Sequence, residues 1–196
     1  MTTANSQTPP LWSGIKVLAC RPKLLLLIVG GLLAALVLNW FVYETRFYRA
    51  AIPAEIGLSF DFATTGSNVS FLGAVFLFDR KACGGAIFEL TDTTVAAIHE
   101  RGPDFLKDAR QGRGYAEKHH PRYYYYSYQP WQPTPLAPEW TSNGKWLGLS
   151  CMGLKNRFGQ TILQATREPG SFYTTGQNKM LLLIPSLKLA VFTYTH

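Results

Sequence analysis

Residues 24–43 are a mostly apolar run without a charge between Lys23 and Glu44. Its 20 residues, at about 1.5 Å of rise each, reach about 30 Å, the hydrocarbon thickness of a bilayer. A helix buried in a globular core rarely lacks a polar face for so long. The run therefore predicts a membrane-spanning helix. Its exit, Asn39-Trp40-Phe41-Val42-Tyr43, is bulky where a signal-peptide cleavage site carries small residues. An uncleaved signal anchor is expected, with a cleaved signal peptide as the alternative. Residues 72–78 and 180–184 are apolar runs of strand length only.

After the helix the pattern changes to short periods. Ile56, Leu58, Phe60 and Phe62 alternate with other residues, predicting a strand over 56–62. Residues 69–78 and 86–90 predict two more, with turns at 64–68 and 79–81. Thr91 or Asp92 can cap a helix through Arg101 that turns Val95 and Ile98 inward. Gly102 ends it, and Pro103 suits the first turn of a second helix to about Arg110, burying Phe105, Leu106 and Ala109. Residues 111–121 are a polar, basic loop, 123–128 an aromatic strand, and 129–138 a Pro-rich extended stretch. Asn143-Gly144 is a hairpin signal that predicts a strand over 145–152. Residues 158–167 predict a third helix, with Phe158, Ile162 and Leu163 on one face. The chain closes on a hairpin, 179–184 and 187–194, around Pro185-Ser186.

The expected fold class is α+β: a single N-terminal transmembrane helix, then one mostly antiparallel β-sheet domain with two or three short helices. The expected divisions are a cytoplasmic tail (1–22), the anchor helix (23–43) and an extracytoplasmic domain (44–196). Leu11, Trp12, Ile15 and Leu18 recur at helical spacing in the tail, as either an interfacial helix or a plain flank.

Composition agrees with a membrane segment. Charged residues are 16% of the chain, against about 25% in ordinary soluble domains. The tail with Lys23 holds Lys16, Arg21 and Lys23 and no acid. Cations before a span are retained in the cytoplasm, so the C-terminal domain is expected outside an inner or plasma membrane. The net charge is +7; residues 44–196 hold 16 basic and 12 acidic residues, or +4. These charges are scattered, and no nucleic-acid partner is expected. The expected partners are the lipid bilayer and an envelope protein. Gly30, Gly31, Ala34 and Ala35 form small pairs four residues apart, the pattern for a homodimer through the helix; composition alone also gives such pairs.

Candidate chemistry is thin. Cys83 and Cys151 lie in the outer portion and are the disulfide candidates; Cys20 falls on the presumed reducing side. Cys83-Gly84-Gly85 is the one candidate thiol nucleophile, with His119 or His120 as base. The Gly148–Gly153 run, with Ser150 inside it, is one residue too long for a nucleophile elbow. Asp104 and Asp108 share a helical face, but Lys107 and Arg110 interleave, as on a solvated surface. The four histidines, His99, His119, His120 and His196, have no zinc spacing. No metal, cofactor or catalytic residue is expected.

The least ordinary stretch is 123–146, with eight Tyr and Trp residues and four prolines between them. Such rings bury large area at low entropy cost, in hot spots or in cores. Tyr124, Tyr126, Trp131 and Trp140 are the candidate partner-binding residues. The expected function is a non-catalytic, membrane-tethered interaction module: an accessory subunit of an envelope complex, or an immunity-type protein. The alternative is an envelope hydrolase acting on lipid or wall polymer. The closing Ile184-Pro185-Ser186-Leu187-Lys188-Leu189 segment resembles the last strands of serine β-lactamase-like hydrolases over under a tenth of the chain, and no residue role is carried over from it.

Overall fold

The computed structural model describes residues 22–67, 83–116, 126–137, 147–154 and 157–195. The chain divides into two compact units, Met1–Trp40 and Phe41–His196. Helix α1 (Pro22–Ala51) starts in the first and ends in the second. In the first unit its apolar side chains are exposed, up to 74% at Leu27. Its Leu25–Ala51 stretch is long and apolar enough to cross a membrane, a test that signal sequences also pass. A Cβ added at Gly30 or Gly31 would meet nothing within 4 Å, so that helix face is open.

In the second unit the last turn of α1 is core. Tyr48 is buried, its ring centroid 6.2 Å from Phe192 and 6.1 Å from Tyr194. Ala51 and the following Ile52 and Ile56 are buried with it. The last carbonyls of a helix have no partner within it. Here Tyr128 donates its hydroxyl to Ala51 O at 2.8 Å. Beyond the helix, Arg113 donates Nη1 to Ile52 O (3.0 Å) and Nη2 to Ile56 O (2.7 Å). Burial and the charge of Arg49 lower the Arg113 pKa, and Glu55 opposes them.

Among the described residues six strands form one open antiparallel sheet: β1 (Leu58–Ser67), β2 (Gly84–Leu90), β3 (Gln132–Pro133), β4 (Phe172–Gly176), β5 (Lys179–Ile184) and β6 (Leu189–Tyr194). Their order is β1-β2-β6-β5-β4-β3. The C-terminal strands form a meander, and β2 joins it by pairing with β6 from Gly84↔Tyr194 to Glu89↔Leu189. β5 and β6 are apolar on both faces because the sheet is covered on both. Leu181, Leu183, Ala190 and Phe192 face one cluster with Tyr48, Ile98 and Tyr126. Met180, Leu182, Ile184 and Val191 face a second with Leu149, Ile162 and Tyr173.

Among the described residues four short α-helices complete the domain: α2 (Asp92–Arg101), α3 (Pro103–Leu106), α4 (Leu147–Cys151) and α5 (Arg157–Arg167). The predicted punctuation holds at α2. Thr91 caps it, its hydroxyl accepting from Thr94 N at 3.3 Å. Gly102, at φ 56°, ends α2 with its N–H on Ile98 O, and Pro103 opens α3. The disulfide forms as expected: Cys83 and Cys151 are bonded, with Cα atoms 5.7 Å apart.

Four local expectations are corrected. The strand expected over 145–152 is, where described, helix α4. It lies on the sheet with Gly148 against Thr193, where a Cβ would clash, and Cys151 is tied to Cys83. The turn expected at 64–68 is strand as far as Ser67, because Gly66 and Ser67 pair with Gly85 and Gly84. The face of α5 is Gly159, Ile162, Leu163 and Thr166; Phe158 is 36% exposed, one helical position off the packed stripe. β4 was not expected at all; Thr174 and Thr175 sit in it, paired with Leu181 and Met180. The strand expected over 69–78 lies outside the described residues.

Candidate functional site

The aromatic, Pro-rich stretch is described over 126–137, and it is stitched into the domain. Tyr126 was expected to offer its ring to a partner; instead it is 4% exposed and packs over Gly114 in the first core cluster. Alternation explains this: Tyr126 and Tyr128 both turn inward, and Ser127 between them is exposed. Residues 126–128 form a small ladder with 110–112, through Gly112 N to Tyr126 O (2.7 Å) and Tyr128 N to Arg110 O (2.9 Å). Burial and neighbouring Tyr126 push the Tyr128 phenol well above its usual pKa.

Trp131 is half-buried against the first cluster and donates Nε1 to Ala109 O at 2.7 Å. Beyond it, β3 pairs with β4, and Tyr173 donates its hydroxyl to Gln132 Oε1 at 2.6 Å. Buried Thr134 donates to Glu168 O (2.5 Å) and accepts from Ser171 N (3.1 Å). The prolines fit because β3 is a two-residue edge strand, where missing donors cost little. Within the Pro-rich stretch Gln132–Pro133 is strand and residues 134–135 form a bend at the cis Thr134–Pro135 bond, while its described rings serve the core. Tyr124 and Trp140 lie outside the described residues, as do His119, His120 and His196.

A groove of about 640 Å³ adjoins this segment, lined by Lys107, Asp108, Arg110, Gln111, Ser127 and Tyr128. Arg110 donates Nε to Tyr128 O at 3.4 Å. Lys107, Asp108, Arg110, Gln111 and Ser127 are exposed. The sequence placed Lys107, Asp108 and Arg110 on a solvated helix face. It did not bring them to Ser127 and Tyr128, since only the 110–112/126–128 ladder does so.

Behind Tyr128 lies Lys179, which sequence reading left unmarked and which is 1% exposed. Its Nζ stands 5.3 Å from the Tyr128 ring centroid. A Cβ at Gly176 would come within 2.7 Å of that Nζ and of Ser127 O, so glycine makes room for the lysine. Burial lowers the amine pKa to about 8.

The cysteine nucleophile is overturned, because Cys83 is held in the disulfide. Ser150 is exposed on α4, within a helix rather than on a strand-to-helix elbow. Among the described residues no three His, Cys, Asp or Glu side chains gather where a metal could be held. No family model matches the chain, and neither a curated protein nor a solved structure matches it.

Proposed function

We propose that the chain is a single-pass membrane protein whose outer domain, residues 44–196, is a non-catalytic interaction module. It acts as an accessory subunit of an envelope complex, or as an immunity-type protein that holds a partner at the membrane surface. One observation carries the reading: α1 is exposed and apolar over its first turns and core over its last. Each exposed leucine forfeits roughly 1.5–3 kcal/mol in water, which a lipid environment restores. A cut just after Ala51 would remove Tyr48 and the carbonyl that holds Tyr128, which argues against cleavage at that point. The competing hydrolase reading has lost its cysteine nucleophile.

The test is to fractionate cells and weigh the protein. The expected result is an intact chain in carbonate-washed membranes, with another protein co-purifying in stoichiometric amount after solubilisation. A soluble species beginning near residue 45 would overturn the anchor. An intact chain that purifies alone, under gentle solubilisation and after cross-linking, would overturn the module.

A further inference from the structure

We propose that the groove between the end of α3 and residues 126–128 binds an extended, carboxylate-bearing segment of a protein partner. This rests on the interaction reading above and names the partner's chemistry. Lys107 and Arg110 are exposed on the groove wall, and neither forms an ion pair among the described residues. Arg110 is held by one edge, its Nε on Tyr128 O at 3.4 Å. That bond leaves both Nη groups for a carboxylate, which a guanidinium grips with two parallel hydrogen bonds. Asp108 also lines the groove and sets a limit: the carboxylate must meet Lys107 and Arg110 while Asp108 faces solvent or a donor. Gln111 adds a neutral hydrogen-bonding side chain to the lining.

Below them, Tyr128 is fixed by its hydroxyl on Ala51 O, so the floor is set before binding. Such preorganisation lowers the ordering cost of association. The groove, about 640 Å³, is open to solvent rather than closed around a single small anion, which suits a passing chain. The outer portion's charge of +4 attracts an acidic partner over distance.

The test uses the full chain in detergent micelles and fluorescein-labelled pentaglutamate. We expect the peptide to bind, Lys107→Gln with Arg110→Gln to weaken it about tenfold or more, and Arg157→Gln with Arg167→Gln to leave it within about twofold. The second pair changes net charge equally on exposed positions of α5. Equal losses from both pairs, no binding by the parent, or displacement by equimolar inorganic phosphate would each overturn the groove. Should the first pair fail to fold, Arg110→Lys decides. It keeps the charge and loses the two-nitrogen edge, so unchanged affinity overturns the proposal. A co-purifying partner that stays on the Lys107→Gln, Arg110→Gln chain refutes the groove and leaves the module reading standing. Groove-dependent pentaglutamate binding without any cellular partner does the reverse.

Discussion

Residues 25–43 and 126–136 draw on the same apolar reservoir and spend it in opposite ways. In the helix the leucines stand in the open. In the second stretch Tyr126, Tyr128 and Leu136 are buried, and Trp131 is half-buried. The difference lies in the backbone. A helix satisfies its own peptide groups, so it needs no neighbour until its apolar surface is considered, and lipid can meet that need. An extended, proline-broken segment has no internal hydrogen bonds. It must borrow partners from the domain, here Arg110, Gly112, Thr166, Ser171 and Thr175, and its rings are drawn inward with it. Aromatic composition alone therefore does not mark a docking surface.

The largest test of this contrast compares one ring with one leucine. Tyr126→Ala should cost the C-terminal domain about 4 kcal/mol, in the range for emptying a buried aromatic site. Leu32→Ala should leave domain unfolding unchanged, since Leu32 is exposed in the other unit. Denaturant titration of both variants in micelles measures the pair. A loss below about 1 kcal/mol at Tyr126 would return that ring to the candidate contact surface.

The second test moves to the opposite face of the sheet, where the stitching is covalent. Cys83→Ser with Cys151→Ser should cost about 3 kcal/mol, since closing a long loop typically contributes 2–4 kcal/mol. Hydrogen exchange should quicken first over α4, a five-residue helix joined to β2 by that bond. Uniform loss across the sheet would show that α4 stands without it.

What the sequence disclosed follows the same division between local and borrowed order. Thr91, Gly102 and Pro103 act on neighbouring residues, and the α2–α3 junction follows from them alone. The β5–β6 hairpin is also local, bridged by Pro185–Leu187 with Lys188 at φ 54°. The region at 145–152 misleads because a short apolar run serves strand or helix equally. Contacts 40 to 70 residues away decide it: Gly148 on Thr193 and Cys151 on Cys83. β4 hides because its threonines match no alternating apolar pattern. In the candidate site, Lys107 and Arg110 were legible as exposed cations. The groove was not, because the rest of its lining arrives from residues 127–128.

A third test uses pH, at the place where the stitched segment covers a charge. The Lys179 amine has a pKa of about 8 in the folded chain and about 10.4 when unfolded. Between those values the unfolded chain binds more protons than the folded one, so this group makes stability rise with pH. Below pH 8 both states are protonated, and the burial penalty is felt in full. Lys179→Met should therefore stabilise the domain at pH 7, by about 2 kcal/mol once nearby carbonyls are allowed for. The advantage should shrink between pH 8 and 10. Comparing the two proteins cancels other groups, and the folded Tyr128 phenol, pushed well above 10 by burial, keeps its proton throughout this window. A pH-independent difference would mean that the ammonium is solvated.

The smallest effect is the one that most sharpens the contrast, because Trp131 is the ring where strut and contact compete. Its Nε1 bond to Ala109 O ties the Pro-rich segment to the turn after α3, beside the groove. Trp131→Phe keeps most of the apolar area and removes that donor. A typical hydrogen bond contributes about 1 kcal/mol net, and although Ala109 is itself buried, the trimmed ring beside its carbonyl is half-exposed, so water can take the donor's place. Since Trp131 is only half-buried, a loss of about 1 kcal/mol or less is expected in denaturant titration. If Trp131 is a strut, a co-purifying partner should stay bound to this variant. A ring at the centre of an interface behaves differently: truncation there typically costs 2 kcal/mol or more of binding, with little change in folding. Measuring both on Trp131→Phe and Trp131→Ala separates the cases. Stability falling while the partner stays would make the described stretch scaffold throughout; the reverse would place a binding ring on a segment held by its own hydrogen bonds.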